Sequence, residues 1–589
     1  MDEFRRLLTA VGKPEDPAAR ARTLLRLAEL LAGADTSAYE AEAVSVVDDL
    51  MLLDEAGTYI TAFNTVQSLF QIHPGFAAAV FLRLPALTGG VPARLLKVQQ
   101  VVVAALELLT AACNDRACRD VVDSTFGDLA RTAETNPDTA VKIRAAALLV
   151  KLNVTAKPGA RPADVTAAAS ALDGYATTLR GAVAASDTVP AAVEGLAFAT
   201  MKPAVKAATA ADEPFLRALL TLAADAKTEP SVVYGLLTIV SNLAAYPPTL
   251  TAEHRQLKDL QAAAGGARDN DERSAAAGRC AQLLKLGIVG LLSVCAVRGT
   301  PAALAAIAAT LAALTVERTA RAGIVRDGGL VTAVLITQRG RPADGRPAVA
   351  AAGVRDAQRA LARMLISVDP TLAFSAKVRP DVAVGPLLRL LDRGTDGSLL
   401  DQFEALLALT NLAAGPLADQ IAAAVWPQLD DLMLADNNLV RRAATELVCN
   451  LMASAHAAAR YLDPDDAGRD TRLRVLAALC DADDDSTRTA AAGALATLTD
   501  WNLAADVVGA RPDAVAAVLR ILRDEEDDGL LLRAMVCLKN MVAGASTPAV
   551  AAAVVAAGGL PAVQAALAHT AVADTRAAAA ELVGALRRQ

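Results

Sequence analysis

Apolar residues recur three and four positions apart along most of the chain, and this spacing predicts amphipathic helices. One stretch places Phe403, Leu406, Leu407, Thr410 and Leu412 on a single helix face. No run of residues alternates with a period of two, so we expect almost no sheet. The pattern therefore predicts an all-α protein.

Glycine pairs separate many of the predicted helices. Gly328-Gly329 and Gly558-Gly559 each follow helical text and precede a new apolar run. Glycine readily adopts the left-handed conformation that ends a helix, so we interpret both pairs as turns between helices. They lack the spacing and the preceding strand of a phosphate-binding loop. Such a turn is more typical of armadillo repeats than of HEAT repeats.

An internal repeat organises the chain. Apolar helices end in Asn followed by an apolar residue at Asn242, Asn411, Asn450 and Asn540, and another copy has Thr497 in that place. The steps from 411 to 450, 497 and 540 are 39, 47 and 43 residues. This period in a helical chain is that of armadillo and HEAT repeats. The predicted fold is a right-handed armadillo-repeat superhelix, an α-solenoid.

The repeated asparagines have two interpretations, and the sequence leaves both open. In a three-helix repeat the third helix lines the concave side, so the amides would form a ladder that binds an extended peptide backbone. Alternatively, each amide binds a neighbouring helix end and holds the repeats together. On the first interpretation, Arg442 and Glu404 add charge beside the groove. The predicted partner-binding residues are Asn242, Glu404, Asn411, Arg442, Asn450, Thr497 and Asn540.

Composition and charge narrow the functional classes. The net charge is −8, which argues against a nucleic-acid binder and fits an acidic cytoplasmic protein. No uninterrupted stretch of 18 apolar residues occurs, so no membrane span is expected. The seven cysteines form no CxxC pair, and most lie in apolar helical text, which predicts buried reduced thiols. The four histidines lie near no nucleophile or carboxylate in a recognisable spacing. We expect no enzyme, no cofactor and no metal.

Two stretches do not fit the repeat. Residues 264–278 are small and polar, and we interpret them as an exposed insertion. Residues 338–353 combine arginines, glycines and prolines in a long basic loop between helices. Loops of this length are often functional or disordered, and we leave both interpretations open.

Several segments together resemble the UCS family of myosin chaperones, named for UNC-45, Cro1 and She4. The segments are AQRALAR at 357–363, DPTLAF at 369–374, VGPLLRLL at 384–391, FEALLALTNLA at 403–413 and RRAATE at 441–446. The ordered similarity covers about residues 190–560. Residues 1–150 show no tetratricopeptide pattern, so the chain is similar to the shorter, fungal-type members.

The resemblance implies a function and a domain division. The chain would bind the myosin motor domain through the armadillo groove and support its folding and activity in actomyosin processes. Hsp90 and a second copy of the chain are further candidate partners. Residues 1–165 would form an N-terminal armadillo-like, central-type region, and residues 166–589 the UCS-like domain. The groove would fall around Asn411, Asn450, Thr497 and Asn540, with a loop from 338–353 reaching toward it.

The alternative function is a general armadillo scaffold or adaptor that binds extended peptides. A nuclear-transport receptor of this kind would show tryptophans regularly spaced beside the asparagine ladder. Trp426 and Trp501 do not follow that pattern. The similarity to the UCS family therefore favours the chaperone.

Overall fold

The computed structural model confirms an all-helical protein. The described residues are 80% helical. Within them the only extended pairing is an isolated bridge between Ser375 and Val378. The structure describes residues 1–13, 17–32, 36–88, 90–153, 162–183, 188–248, 271–341, 347–375, 378–392, 397–501, 503–546 and 548–587.

The chain packs into two units, Met1–Ala313 and Leu314–Gln589, here called unit 1 and unit 2. The helices of unit 1 are α1 Asp2–Val11, α2 Pro17–Leu31, α3 Ser37–Leu52, α4 Ala56–Ile72, α5 Pro74–Arg83, α6 Pro85–Thr88, α7 Gln99–Ala112, α8 Arg116–Glu134, α9 Thr139–Asn153, α10 Pro162–Ala182, α11 Val189–Ala199, α12 Pro203–Ala211, α13 Glu213–Ala224, α14 Pro230–Ala244, α15 Arg273–Lys285, α16 Ile288–Arg298 and α17 Pro301–Leu314, with a 3₁₀ turn at Leu95–Lys97.

The helices of unit 2 are α18 Arg321–Arg326, α19 Gly329–Arg339, α20 Ala351–Ser367, α21 Pro370–Ala373, α22 Val384–Leu391, α23 Leu399–Ala413, α24 Ala418–Leu432, α25 Asn438–Leu451, α26 Ala455–Leu462, α27 Arg469–Leu479, α28 Asp485–Leu498, α29 Ala504–Gly509, α30 Pro512–Asp524, α31 Asp528–Gly544, α32 Ala549–Ala556, α33 Gly559–His569 and α34 Ala573–Arg587. Two 3₁₀ turns, Arg318–Ala320 and Pro380–Ala383, belong to the same unit.

The helix ends follow the sequence signals. Gly328 and Gly558 adopt φ values of 97° and 88°, the left-handed turn expected of each glycine pair. Ser398 begins α23 with a capping box, in which its hydroxyl accepts from the amide of Asp401 and the Asp401 carboxylate accepts from the amide of Ser398. Asp527 caps α31 by accepting from the amide of Leu530.

One helix of each repeat packs against its counterpart in the next repeat, and we call these the ladder helices. They are α4, α7, α9, α11, α14 and α15 in unit 1 and α20, α23, α25, α28, α31 and α34 in unit 2. Asn242, Asn411, Asn450, Thr497 and Asn540 all lie on ladder helices. The structure thus confirms the repeat, and it shows an armadillo-like helical solenoid within each unit.

The core consists mainly of alanine and leucine side chains between helices. Trp426 and Tyr461 are its largest members, and their rings meet edge to face with centroids 6.0 Å apart. Small alanines let the ladder helices approach closely, which explains the low aromatic content. Among the described helices, none is long and apolar enough alone to span a membrane, while three sharply bent helix pairs reach the required length and composition.

The predicted domain boundary at residue 165 remains a prediction, because the two units reflect packing and divide the chain at Ala313. Residues 264–270 of the predicted insertion lie outside the described residues. The rest of the insertion leads into α15, which begins at Arg273. In the predicted basic loop at 338–353, residues 342–346 lie outside the described part. The rest of that loop includes the end of α19 and the beginning of α20.

Candidate functional site

The ladder asparagines bind the preceding ladder helix. Asn411 Nδ2 donates to the Leu365 carbonyl at 2.9 Å, and Asn450 Nδ2 donates to the Thr410 carbonyl at 3.0 Å. Both acceptors lie in the last turn of a helix, where carbonyls have no amide partner one turn further on. Each amide therefore caps the end of the helix before it.

Two further asparagines make the same contact. Asn242 Nδ2 donates to the Ala197 carbonyl at 2.8 Å, and Asn540 Nδ2 donates to the Ala496 carbonyl at 3.4 Å. The amide nitrogens therefore follow the second interpretation, in which each amide binds a neighbouring helix end and holds the repeats together. It leaves the amide oxygens, which make no hydrogen bond within the described residues, for another role.

Other residue types supply the donor where asparagine is missing. Lys151 on α9 donates to the Thr110 carbonyl at 2.7 Å, and Arg279 on α15 donates to the Leu243 carbonyl at 2.7 Å. Trp501, just after Thr497, donates from its indole nitrogen to the Met452 carbonyl at 2.8 Å. The sequence does not reveal these residues when the repeat is defined by asparagine, because the contact requires only a side chain that can donate a hydrogen bond. A Trp, Lys or Arg near the expected position was the available signal.

A groove crosses three ladder helices of unit 2. It has a volume of about 550 Å3 and lies along α25, α28 and α31, with Asn450 on its wall. Arg488 forms ion pairs with Asp485 at 2.6 Å and with Glu525 at 3.0 Å. Arg533 lines the same groove and makes no ion pair within the described residues. An arginine in this state can bind a carboxylate of a partner.

The other predicted contact residues lie in different environments. Arg442 is half-exposed and forms an ion pair with Glu446, whose carboxylate lines the groove. Thr497 is half-buried on α28. Glu404 is only 9% exposed and accepts from Arg363 Nε through both oxygens at 3.0 Å. Burial raises the pKa of Glu404 despite this arginine. Glu404 thus forms a buried ion pair between α20 and α23 and is not part of the proposed partner surface.

All seven cysteines are free thiols, and all are buried except Cys449. Burial raises the pKa of Cys113, Cys118 and Cys537 to about 12. Burial also raises the pKa of Cys449, although Arg533 opposes the shift. Cys449 is half-buried and lies on the wall of the unit 2 groove. The predicted burial of the thiols is confirmed for six of the seven.

We expect a thiol reagent such as Ellman's reagent to modify Cys449 first in the native protein, because access limits the reaction of the other six. Absorbance during the reaction measures how many thiols react in the fast phase. The Cys449→Ser variant should lose that phase while still titrating its remaining thiols in denaturant. A fast phase that persists in this variant contradicts the assignment.

The described residues contain no group of three or more His, Cys, Asp or Glu side chains that could hold a metal ion. The polar groups of the groove are ion pairs, amides and helix caps. This arrangement suits binding of a polypeptide by hydrogen bonds and charge.

Comparison with known proteins shows which families and structures the chain is similar to. Residues 1–171 match the UNC45-central family, described as myosin-binding striated muscle assembly central. Ring assembly protein 3 of Schizosaccharomyces pombe is 29% identical over 349 residues, which cover 57% of this chain and 45% of that protein. Protein unc-45 homolog B of Homo sapiens is 31% identical over 321 residues, covering 52% of this chain and 32% of that protein.

The chain spans less than half the length of these two relatives. The structure of UNC-45 from Drosophila melanogaster matches 99% of this chain and 75% of that chain with a TM-score of 0.75, at 21% sequence identity. At this identity the match establishes the fold. This chain is therefore similar to the UNC45-central family over residues 1–171, to parts of these two relatives in sequence, and to UNC-45 in fold.

Proposed function

We propose that this chain is a myosin-directed chaperone, which binds the motor domain of myosin and supports its folding and activity. The observation that carries the proposal is the match of residues 1–171 to the UNC45-central family, which is described as myosin-binding. The open groove along the ladder helices of unit 2 supplies a surface for a polypeptide.

The proposed contacts combine amide oxygens and charge. Asn450 lies on the groove wall, and its Nδ2 is fixed on the Thr410 carbonyl. Its Oδ1 is then available to accept an N–H from an extended segment of the motor domain. Equivalent roles are proposed for the remaining ladder positions and for the charge beside them, namely Asn242, Asn411, Thr497, Asn540 and Arg442. Arg533 joins them as the groove cation.

The proposal includes two expectations about the cellular setting. Hsp90 is proposed as a cooperating partner, on the basis of the family resemblance. The reducing cytoplasm is the proposed location, because free thiols persist in that compartment.

We expect the purified chain to suppress thermal aggregation of a myosin motor domain without added nucleotide. A groove that shields half-folded segments acts by binding alone. Light scattering of the heated motor domain, with and without an excess of the chain, measures the effect. An equal mass of serum albumin is the control. Unchanged aggregation would contradict the chaperone proposal and favour the armadillo adaptor.

A further inference from the structure

A second groove lies in unit 1, and Asn242, one of the residues proposed above as a motor-domain contact, lies on its wall. The groove has a volume of about 750 Å3 and runs beside α11 and α14. Gly235 on α14 brings these helices close, since an added Cβ would come within 2.5 Å of Val193 Cγ1. The volume is in the range of pockets that bind ligands.

Large apolar side chains form an exposed platform in this groove. Tyr234 is 43% exposed and Met201 is 56% exposed, and both line the groove. Phe198 lies beside them, with its ring centroid 4.5 Å from the Lys151 ammonium. Clustered apolar groups at a surface mark places where another molecule binds. The platform therefore favours an occupant with an apolar or aromatic side chain.

The charge at the rim of the groove is negative. Among the described residues that line it, the charged ones are Glu194 and Glu229. Lys151 lies underneath with a fully buried side chain, and its ammonium already binds Thr110 O, Asn114 Oδ1 and Glu194 Oε1. The Lys151 ammonium is therefore not available to bind a ligand in the groove. Glu229, in contrast, is exposed at the start of α14. The electrostatics therefore favour a cationic group beside the apolar one.

Amide side chains extend the groove. Gln67 and Gln71 of α4 line it and also line an adjoining cavity of about 540 Å3, which shares Glu194 and Glu229. That cavity also contains Lys13, Arg20 and the ion pair between Arg144 and Glu107, so the negative charge is confined to the groove beside α11 and α14. Neither glutamine makes a hydrogen bond within the described residues. Amides that can donate and accept match the backbone of an extended chain.

We infer that the unit 1 groove is a docking site for an extended peptide segment in which a large apolar side chain stands next to Lys or Arg. The apolar side chain packs on Met201, Phe198 and Tyr234, and the cation binds Glu229 and the second oxygen of Glu194. The stem of the cationic side chain covers the Tyr234 ring and adds an apolar contact. The site shares Asn242 with the proposed motor-domain contacts, but neither the apolar platform nor the acidic rim includes that residue.

The test uses the full chain and a phage-displayed library of random dodecapeptides, with no myosin present. Selection on the wild-type chain should enrich sequences that place Phe, Tyr, Leu or Met beside Lys or Arg. Synthetic peptides with the enriched sequences should bind the Tyr234→Ala and Glu229→Lys variants at least tenfold more weakly, as measured by fluorescence anisotropy. Selection on Glu229→Lys should shift the enriched charge from basic to acidic.

Glu29→Lys is the matched control, because Glu29 is exposed on α2 outside the groove and the net charge changes equally. Thermal unfolding shows that each variant is folded. The inference is overturned if no sequence is enriched, if the enriched peptides are acidic, or if they bind the two groove variants as tightly as the wild type. None of these outcomes bears on motor-domain aggregation, so the two proposals are tested separately.

Discussion

Replacing Asp401 with alanine is expected to lower the free energy of unfolding by about 3–5 kcal/mol. The carboxylate is only 1% exposed and accepts from Arg359 Nε at 2.7 Å and from Arg355 Nη1 at 3.1 Å. Both arginines lie on α20, whereas Asp401 lies in the first turn of α23. The substitution leaves Arg355 without an anion, leaves Arg359 with Asp356 alone, and removes half of the Ser398 capping box.

Urea unfolding followed by circular dichroism measures this loss of stability. Asp381→Ala is the matched control, because Asp381 also pairs with an arginine, Arg379, but at an exposed site. Exposed ion pairs contribute less than about 1 kcal/mol. Equal effects of the two substitutions would contradict the view that burial of the Asp401 pair holds α20 and α23 together.

The stabilisation by Asp401 should depend on pH in a defined direction. Burial raises the pKa of the Asp401 carboxyl, but hydrogen bonds from Arg359 and Arg355 outweigh burial and hold that pKa below its ordinary value. A depressed folded-state pKa means that the stabilisation is present above the unfolded-state pKa and is lost as the pH falls. We therefore expect the wild type and Asp401→Ala to differ fully at neutral pH and to converge below about pH 4.

The helical repeat was predictable because its signal is local. Apolar spacing sets the helix faces, and the glycine pairs at 328 and 558 end helices through their left-handed conformation. The period between Asn411 and Asn450 then places both on ladder helices. Each of these inferences needs only neighbouring residues or a repeated distance.

The roles of individual polar residues were less predictable, because they depend on a partner about one repeat away. Glu404 has the sequence context of a surface residue, and only Arg363 from the preceding ladder helix explains its burial. Similarly, Trp501 replaces an asparagine by reaching the end of α25 with a different donor. The face of a ladder helix that meets the groove adjoins the face that meets the preceding helix, so helical periodicity alone does not separate the two roles.

The double substitution Asn411→Ala and Asn450→Ala is expected to affect both stability and binding. Each change leaves a half-buried helix-end carbonyl without its donor, which costs about 1–2 kcal/mol per site. For a protein of this size, the melting temperature should fall by several degrees. Each change also removes one Oδ1 acceptor from the proposed partner surface. Loss of two hydrogen bonds of roughly 0.5–1.5 kcal/mol each weakens motor-domain affinity about fivefold to 150-fold.

Two further variants distinguish the effect of the asparagines on stability from their effect on motor-domain affinity. Asn438→Ala is the control, since Asn438 is an exposed asparagine at the start of α25, away from the ladder position. The paired substitution of Asn411 and Asn450 by aspartate keeps the acceptor oxygens but removes the donors. It should therefore lower the melting temperature while retaining more motor-domain affinity than the alanine pair. Calorimetry gives the melting temperatures, and affinity is measured well below them.

The combination of the two measurements decides what the asparagines do. If the alanine pair unfolds earlier but binds the motor domain as tightly as the wild type, the amides serve only to cap the preceding helices and are removed from the partner surface. If affinity falls for the alanine pair and is retained for the aspartate pair, the oxygens contact the motor domain. The nitrogen of one amide donates to the preceding helix, whereas its oxygen can accept from the motor domain. One residue type at one repeated position can therefore both hold the solenoid together and bind its partner.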